Sequence, residues 1–388
     1  MKIRESQFEL LRIIAMAMIV MVHFNGIAVE KFLPLTNCNF SDVWGAELLE
    51  SFAIVGVNLF VLISGYFGIR LTAKGVAKYV GWVLWYSVLL YLAVCCIYPE
   101  LFQPKYTEYA VNGITHSSQW FVTSYFILMA LSPAINAVLA RTTFRQHLAI
   151  AAVLTVVNCV GGWWFEMVFN QTGYTVHHMV FIYWLGHVLR ECMQRRQQLP
   201  WRTIAIVVYA ASLLGVMAMM QSMRYFKVIA YNNPVIVLES LALFAVFATM
   251  HFQNRAVNWI ASSAFAVYLI HMHFSVYPHL LRPLLSDIYD TCGGTHYALI
   301  SAALGLAIYA ACIIVDKPRA WLFDRLLNIG KKPGDTQKRA AQVVGIVKFI
   351  AKFATDNQNI SRNYICLNCY FELLWQQNYC RIKNTKDI

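Results

Sequence analysis

Charged residues are scarce in this sequence. Asp, Glu, Lys and Arg together make up 13% of the 388 residues, whereas 59% are hydrophobic and 14% are aromatic. Soluble globular domains carry about 25% charged residues, so this composition excludes an ordinary water-soluble fold of the same length. The mean hydropathy of +0.53 instead predicts a polytopic membrane protein.

Motifs for cofactors and metals are missing as well. The chain has no glycine-rich phosphate loop and no nucleotide-binding motif. Its ten cysteines are scattered, mostly within apolar runs, and the single CxxC lacks a second pair or histidine ligands. We therefore expect no disulfide framework, no bound cofactor and no metal site. Metal binding by His177, His178 or His187 stays open, although no clear ligand set accompanies them.

Long hydrophobic segments are what the sequence has in abundance. Crossing a bilayer takes about 20 apolar residues in a helix, and each segment approaches that length. None alternates polar and apolar residues, as a spanning strand would. The sequence therefore predicts an all-α fold, a bundle of about ten transmembrane helices. The segments cover residues 8–29, 48–68, 76–98, 118–139, 147–165, 175–190, 203–222, 234–252, 257–280 and 297–315.

The loop charges predict an orientation. If the N-terminus is cytoplasmic, most Lys and Arg residues of the loops lie inside, as the positive-inside rule requires. Both termini are then cytoplasmic, and the net charge of +12 needs no nucleic acid to explain it. The basic residues left outside are Lys31, Lys105, Arg224, Lys227 and Arg282. The outer loops are predicted to be acidic, with Asp42, Glu47, Glu50, Glu100, Glu108, Glu166, Asp287 and Asp290.

The composition changes after Ile329. Gly, Pro and charged residues typical of a linker follow, and then a short basic and apolar stretch, VVGIVKFIAKFA, that could lie on the inner membrane surface. We therefore divide the chain into a transmembrane core, residues 1–330, and a cytoplasmic tail of unknown role, residues 331–388. The first apolar run is too long for a cleavable signal peptide.

The first helix carries ionisable residues at membrane depth. Arg12 and His23 are eleven residues apart, so they share one helix face and are separated by ~16 Å along the axis. Such residues usually face a protein interior or a wet cavity, because lipid exposure is costly. A functional pair is one interpretation. In the other, Arg12 marks the cytoplasmic end and His23 is a polar residue satisfied by a neighbouring helix.

Three motifs resemble the membrane acyltransferase 3 family, whose members O-acylate cell-surface sugars. The first helix has an arginine, ten intervening residues and a histidine, Arg12 and His23, with the acidic Glu9 three residues before the arginine. GVNLFVLISGYF resembles the second-helix motif of that family, and AVYLIHMHF resembles its late Tyr-Leu-x-His element. The resemblance covers roughly residues 6–330. These later motifs contain Ser64, Gly65, Tyr66, Tyr268 and His271.

The sequence departs from that family at two positions. Many members have a glutamate five residues after a motif tryptophan, whereas here Trp120 is followed by Tyr125 at that place. Asn58 stands where the second helix of the family often has an aspartate. The role of that family glutamate is therefore not carried over to this chain.

The resemblance implies roles for the motif residues. His23 is the expected general base, since an imidazole suits proton transfer near neutral pH. Arg12 would bind the phosphates or the thioester of an acyl-CoA, and Glu9 would orient it through an i,i+3 pair. Gly65 is a helix-packing residue in the simpler interpretation. The other predicted substrate-binding residues are Asn58, Ser64, Tyr66, Trp120, Tyr125 and His271.

The acceptor would approach from outside, where tryptophans offer aromatic surface for a sugar ring. For any single tryptophan, an interface belt in the membrane is the more common role. The candidates are Trp44, Trp120, Trp163 and Trp164.

Two functions follow from these features. The first is an O-acyltransferase, in particular an O-acetyltransferase, of the bacterial inner membrane. It would move an acyl group from a cytoplasmic acyl-CoA to a hydroxyl of a surface polysaccharide or glycolipid. The alternative is a non-enzymatic glycan transporter, flippase or export component, since intramembrane Arg, His and Glu also serve substrate or proton movement. Acyl-CoA turnover separates the two.

Overall fold

The computed structural model describes residues 5–33, 35–114, 119–292 and 294–328. Within these ranges the chain forms α-helices joined by turns and short 3₁₀ and π segments, and no strand is present. The all-α, polytopic prediction is therefore confirmed. The predicted tail, residues 331–388, lies outside the described residues.

Fifteen α-helices follow one another along the described chain. A π-helical stretch, Val156–Trp164, extends the seventh of them, and a second π-helical turn, Tyr277–Leu281, precedes the fourteenth. The helices are α1 Ser6–Phe32, α2 Phe40–Ala53, α3 Gly56–Phe67, α4 Ala73–Ile97, α5 Pro104–Val111, α6 Trp120–Arg141, α7 Phe144–Thr155, α8 Val176–Arg195, α9 Trp201–Ser222, α10 Tyr225–Val228, α11 Pro234–Ala248, α12 Arg255–Ala261, α13 Ala264–His271, α14 Arg282–Cys292 and α15 Gly294–Asn328.

Seven helical stretches of the described residues are long and apolar enough to cross a membrane, fewer than the ten predicted. The three remaining predicted spans differ for physical reasons. Helix α8 has the length but carries several polar and charged residues, and α11 is only 15 residues long. The seven stretches are Ser6–Glu30, Val43–Phe67, Ala73–Ile97, Trp120–Arg141, Phe144–Trp164, Trp201–Ser222 and His296–Phe323.

The third of the remaining spans, predicted as a continuous helix over residues 257–280, is broken. It consists of α12, α13 and a connection that leads into the second π-helical turn. A turn at Ser262 and Ser263 separates the two helices. After α13, the His273 ring bonds the Ser275 hydroxyl at 2.8 Å, a local side-chain hydrogen bond in the segment where the helix has ended. The prediction was wrong here because apolar composition hides short polar breaks.

The predicted second span is also divided, at Ile54 and Val55, into α2 and α3. Helix α2 begins well before the predicted span and contains Glu47 and Glu50, which are 0% and 1% exposed. The prediction that these two carboxyl groups lie in an outer loop was therefore wrong. Loop composition alone did not reveal that hydrogen-bonding partners on other helices allow them to be buried.

Helix α1 lies at the centre of the bundle and packs against α2, α3, α11, α12, α13 and α14. The backbones of α3 and α8 also approach each other closely, at two glycines. A Cβ added at Gly65 would lie 2.0 Å from the carbonyl oxygen of Tyr183, and one at Gly186 would lie 2.6 Å from that of Leu62. These two glycines let the helix backbones touch, as the packing interpretation of Gly65 predicts.

Candidate active site

The first group of the candidate site is the predicted pair on the first turns of α1. The Arg12 Nη1 donates to the Glu9 Oε1 at 2.8 Å. The Arg12 side chain keeps 37% of its surface exposed, whereas Glu9 keeps 13%. The carboxylate therefore holds one side of the guanidinium and leaves its other donors available to a ligand.

The second group is a pair of histidines from opposite ends of the sequence. The Nδ1 of His23 lies 3.0 Å from the Nε2 of His271, although 248 residues separate them. His271 is completely buried, and its Nδ1 lies 2.7 Å from the carbonyl oxygen of Val267, one turn earlier in α13. His23 is only partly buried in spite of its place in the central helix. Sequence spacing predicted each histidine separately but not their contact.

The break in the predicted span explains how the two histidines meet. Because α12 and α13 are short, α13 can end beside the middle of α1. The π-helical turn that follows brings the Tyr277 hydroxyl to donate to the His23 carbonyl oxygen at 3.1 Å. The ring of Tyr268 packs edge-on against His271 at 6.0 Å between centroids. The imidazole pair is therefore held from both sides by the late part of the chain.

Ser64 and Tyr125 form a third group. The Ser64 hydroxyl donates to the carbonyl oxygen of Phe60 at 3.1 Å, so Tyr125 is the donor in the 2.9 Å bond between their oxygens. The Tyr125 ring stacks on Phe121 at 5.4 Å and on Tyr79 at 6.0 Å. A hydroxyl that donates to Ser64 therefore occupies the place where the family often has a carboxylate.

Trp120, the first residue of α6, belongs to an aromatic group. Its ring lies 4.8 Å from that of Tyr174 and 5.8 Å from that of Tyr231, and these tyrosine rings are 4.9 Å apart. The other predicted tryptophans lie elsewhere. Trp44 and Trp164 are at least half exposed, at 50% and 59%, and buried Trp163 donates to the Lys227 carbonyl oxygen.

Asn58 connects the aromatic group to His178, one of the histidines for which the sequence left metal binding open. Its Nδ2 donates to the carbonyl oxygen of Tyr231 at 3.1 Å, and its Oδ1 accepts from His178 Nε2 at 2.8 Å. An aspartate could accept the second bond but not donate the first. The amide at this position therefore fits its surroundings better than the family aspartate would.

Tyr66 has a different position from the other predicted site residues. Its ring packs against Phe8 at 5.2 Å and Phe244 at 5.1 Å, and its carbonyl oxygen accepts from Arg190. It also borders a cavity of about 580 Å³ between α8, α9 and the end of α11. The structure therefore gives this ring contacts that serve packing. The cavity is lined further by Met193, Gln194, Gln197, Leu199, Pro200, Trp201, Arg202, Thr203, Ala248, Thr249 and His251.

Of the histidine cluster between α7 and α8, the sequence indicated only His187, for which metal binding was left open. His147, His187 and Glu191 each offer one ligand atom, and these atoms lie within 4.8 Å of one another, so the group could hold a metal ion. His147 Nδ1 contacts Glu191 Oε2 at 2.6 Å, and His147 Nε2 faces the Leu139 carbonyl and the Thr142 hydroxyl oxygens. Thr143 starts α7 with a capping box and thereby fixes the helix that carries His147.

The hydrogen bonds of this cluster favour an ion pair over a metal. Both nitrogens of His147 face acceptors, since the Thr142 hydroxyl donates to Val138 and can only accept from the ring. A metal would have to displace the proton between His147 and Glu191. Arg190 and Arg195, at 3.4 Å from His187 and 3.8 Å from Glu191, would repel a dication.

Buried acidic residues are another feature that motif reasoning missed. Glu50 accepts from Asn25 Nδ2 at 2.8 Å, whereas neither carboxyl oxygen of the fully buried Glu239 has a hydrogen-bond partner within the described chain. A single acidic residue in an apolar run is the signal that could have identified Glu239. A buried carboxyl group without a partner is expected to be neutral.

An ion-pair group lies outside the spanning segments. Glu166, in the connection before α8, pairs with Lys227 at 2.9 Å and also with Arg224. Hydrogen bonds from Lys227 and Arg224 lower the pKa of the Glu166 carboxyl below its usual value. This predicted outer-loop carboxylate is therefore held in its charged form by basic residues of the α9–α11 connection.

Comparison with known proteins gives one finding. The model of the acyltransferase 3 family, described as an acyltransferase domain, matches residues 5–326. All nine predicted site residues fall within this range, which ends just before the predicted tail. No curated protein and no solved structure matches the chain.

Proposed function

Since the chain belongs to the acyltransferase 3 family and is a membrane acyltransferase, we propose that it O-acylates a surface glycan. The donor is a cytoplasmic acyl-CoA, with acetyl as the simplest acyl group. The acceptor is a hydroxyl of an exported polysaccharide or glycolipid. The protein lies in the bacterial inner membrane with both termini cytoplasmic, as the loop charges predict.

The His23–His271 contact is the observation that supports this proposal most. It places a partly accessible imidazole, backed by a second imidazole at 3.0 Å, in the middle of the central helix. Arg12 lies on the same helix nearer its start, with donors that Glu9 leaves available. A base, His23, within the membrane and a cation, Arg12, near one end of the same helix suit a reaction whose two substrates come from opposite sides of the membrane.

In the proposed reaction the acceptor hydroxyl loses its proton to His23 while its oxygen attacks the thioester carbonyl carbon. The carbon–sulfur bond then breaks, and the proton on His23 passes to the departing CoA thiolate. The products are an ester and CoA with a free thiol, so no oxidant, metal or net proton is required. General base catalysis of this kind contributes typically ~10²–10⁴-fold in rate.

Each substrate has a supporting group. Arg12 binds the acyl-CoA, because its planar guanidinium can hold phosphate or thioester oxygens through two donors. The rings of Trp120, Tyr174 and Tyr231 offer faces on which a sugar can stack. Tyr174 is 40% exposed, so this aromatic group is open on one side. These assignments place the donor at the Arg12 end and the acceptor beyond His23.

The test uses the purified full chain in nanodiscs with radiolabelled acetyl-CoA and a lipid-linked or polymeric glycan extract. We expect labelled glycan and free CoA to appear in equal amounts. Arg12→Lys keeps the charge but lacks the planar fork, so it should raise the KM for acetyl-CoA. His177→Ala is the control, because this histidine is exposed and outside the candidate site.

Two outcomes would contradict the proposal. A protein that moves unmodified glycan across the membrane and leaves the thioester intact would be a transporter. Unchanged KM and turnover in Arg12→Lys would reduce Arg12 to a residue that marks the helix end.

The orientation is tested by a reporter inserted after Arg196, which should be cytoplasmic, whereas one in the 104–113 connection should be external.

A further inference from the structure

We infer that His271 is a positioning residue that fixes the tautomer of His23, so that Nε2 of His23 is the nitrogen that accepts the proton. The inference rests on the proposed role of His23 as the base. It goes further because it assigns a proton to each ring nitrogen of the pair. Only the hydrogen-bond partners and their chemistry are needed for this assignment.

His271 is hydrogen bonded to a backbone carbonyl of its own helix. Its Nδ1 lies 2.7 Å from the carbonyl oxygen of Val267, and a carbonyl oxygen can only accept. Nδ1 of His271 therefore carries a hydrogen. A neutral imidazole has one N–H and one lone pair, so the lone pair of His271 is on Nε2.

The Nε2 lone pair of His271 lies 3.0 Å from Nδ1 of His23, so Nδ1 of His23 must donate. The opposite tautomer of His23 would set two lone pairs against each other at this distance. Nε2 of His23 is consequently the unprotonated nitrogen of the neutral ring, the form that a general base requires.

Nε2 of His23 is the ring nitrogen that a substrate can reach. Among the residues that the structure describes, none is hydrogen bonded to Nε2 of His23, and the residue is partly accessible. His271 is completely buried, and both its ring nitrogens are engaged. The only lone pair of the two rings that is left for a substrate hydroxyl is therefore the one on His23.

Surrounding contacts make this chain of bonds rigid. Val267 and His271 are one turn apart in α13, a helix buried along nearly its whole length. The Tyr277 hydroxyl fixes the backbone of α1 at His23 through its carbonyl oxygen. Catalytic histidines are often oriented by a carboxylate, which also stabilises the charged ring. A neutral imidazole in that place fixes the direction of the base without adding a buried negative charge.

The test compares two substitutions at the same position. In His271→Gln the side-chain amide oxygen can accept from Nδ1 of His23, whereas His271→Leu offers no acceptor of similar size. We expect His271→Leu to lower kcat by ~10²-fold or more with little change in KM, and His271→Gln to retain kcat within ~10-fold. His273→Gln and His273→Leu are the matched controls, since His273 is buried nearby but bonds Ser275 and Ser87 instead.

A spectroscopic readout separates this inference from the proposed function. In protein labelled with ¹⁵N-histidine, the His23 signals, assigned with His23→Gln, should show a protonated Nδ1 and an unprotonated Nε2. This state should be lost in His271→Leu and retained in His271→Gln. An Nε2-protonated His23 in the wild type would overturn the inference, and so would equal kcat values for the Leu and Gln variants. If His23 proves dispensable for acyl transfer, the proposed function fails, while the spectra still decide the tautomer.

Discussion

Two groups of histidines in the described part of the bundle use their imidazole nitrogens differently. In the His23–His271 pair, three of four ring nitrogens are engaged with each other or with a carbonyl, and the fourth is open to a ligand. In the His147 cluster, both nitrogens of the buried ring face oxygen acceptors, one of which belongs to Glu191. The first group retains a lone pair for chemistry, and the buried ring of the second has none.

The difference shows that burial and titratable character are poor guides to function by themselves. Both groups join helices, and both contain two histidines. Only the accounting of donors and acceptors distinguishes a ring that can accept a proton from a ring that holds two helices together.

The largest effect is expected on the reaction rate at His23, whose Nε2 is available to a substrate. His23→Ala removes the proposed base, so acyl transfer should fall by ~10²–10⁴-fold. The free energy of unfolding should also fall by about 1–3 kcal/mol, because Nε2 of the buried His271 loses its hydrogen-bond partner. The measurement is the acetyl transfer rate together with the melting temperature of the same preparation. A folded His23→Ala variant that retains wild-type turnover would show that His23, like His147, has no role in the chemistry.

The next largest effect is expected on stability at His147, where both ring nitrogens face acceptors. His147→Phe leaves Glu191 without its closest partner, so it should lower the free energy of unfolding by about 1–3 kcal/mol. The kcat of the folded fraction should stay near that of the wild type. A melting curve and an active-site-normalised rate measure the two quantities. A large loss of kcat without a loss of stability would contradict this assignment.

The same cluster provides a control for metal binding. Any ligand that binds only the folded protein raises its stability, by about 2.7 kcal/mol at a concentration of 100 Kd. Because both His147 nitrogens face acceptors and two arginines lie nearby, we expect micromolar Zn²⁺ to leave the melting temperature unchanged. A rise that His147→Phe abolishes would show a metal site in place of the ion pair.

A smaller effect is expected where the family glutamate is missing. Tyr125→Phe removes the hydroxyl that donates to Ser64 and leaves the stacked ring in place. We expect a loss of stability of about 0.5–1.5 kcal/mol, typical of one hydrogen bond, and less than a tenfold change in rate. A rate loss as large as that of His23→Ala would instead place Tyr125 in the chemistry.

The smallest effect is expected at Glu166, which lies outside the spanning segments and outside the His23–His271 pair. Because its pKa is lowered in the folded state, the ion pairs stabilise the protein above the unfolded carboxyl pKa, and this contribution is lost as pH falls through the folded value. The side chain is 38% exposed, so the contribution should be only about 0.2–1 kcal/mol. Glu166→Gln should melt slightly below the wild type at pH 7 and together with it at low pH. A difference in melting temperature that stays constant across this pH range would contradict the expected sign.

The sequence allowed much of α1 to be predicted. A continuous apolar run with one ionisable face gives a spanning helix, and the i,i+3 spacing of Glu9 and Arg12 gives the ion pair that the structure contains. Local periodicity was sufficient because both features depend on residues within a few turns. The family motif indicated His23 and His271 separately.

The rest depended on contacts that no local pattern encodes. The meeting of His23 with His271 required the break after α13, and the span predicted over residues 257–280 had no break. The burial of Glu50 required Asn25 on another helix. His147 and Glu191 were missed because His147 is the first residue of the apolar run 147–165 and Glu191 directly follows the run 175–190, so neither was recognised as an ionisable residue at membrane depth. Hydropathy measures transfer into lipid and is insensitive to which helices pair.

The central position of α1 also has a consequence for how the chain assembles. This helix is synthesised before α12 and α13, yet His23 finds its partner 248 residues later, and the Ser6 hydroxyl bonds Asn258 at a separation of 252. His23 and Ser6 must therefore remain in the membrane without these partners until α12 and α13 are inserted. Contacts of such long range slow folding and prolong the exposure of incomplete intermediates. The contacts around α1 are thus completed only when the later helices are present, and a chain that stops before residue 255 lacks the groups that complete them.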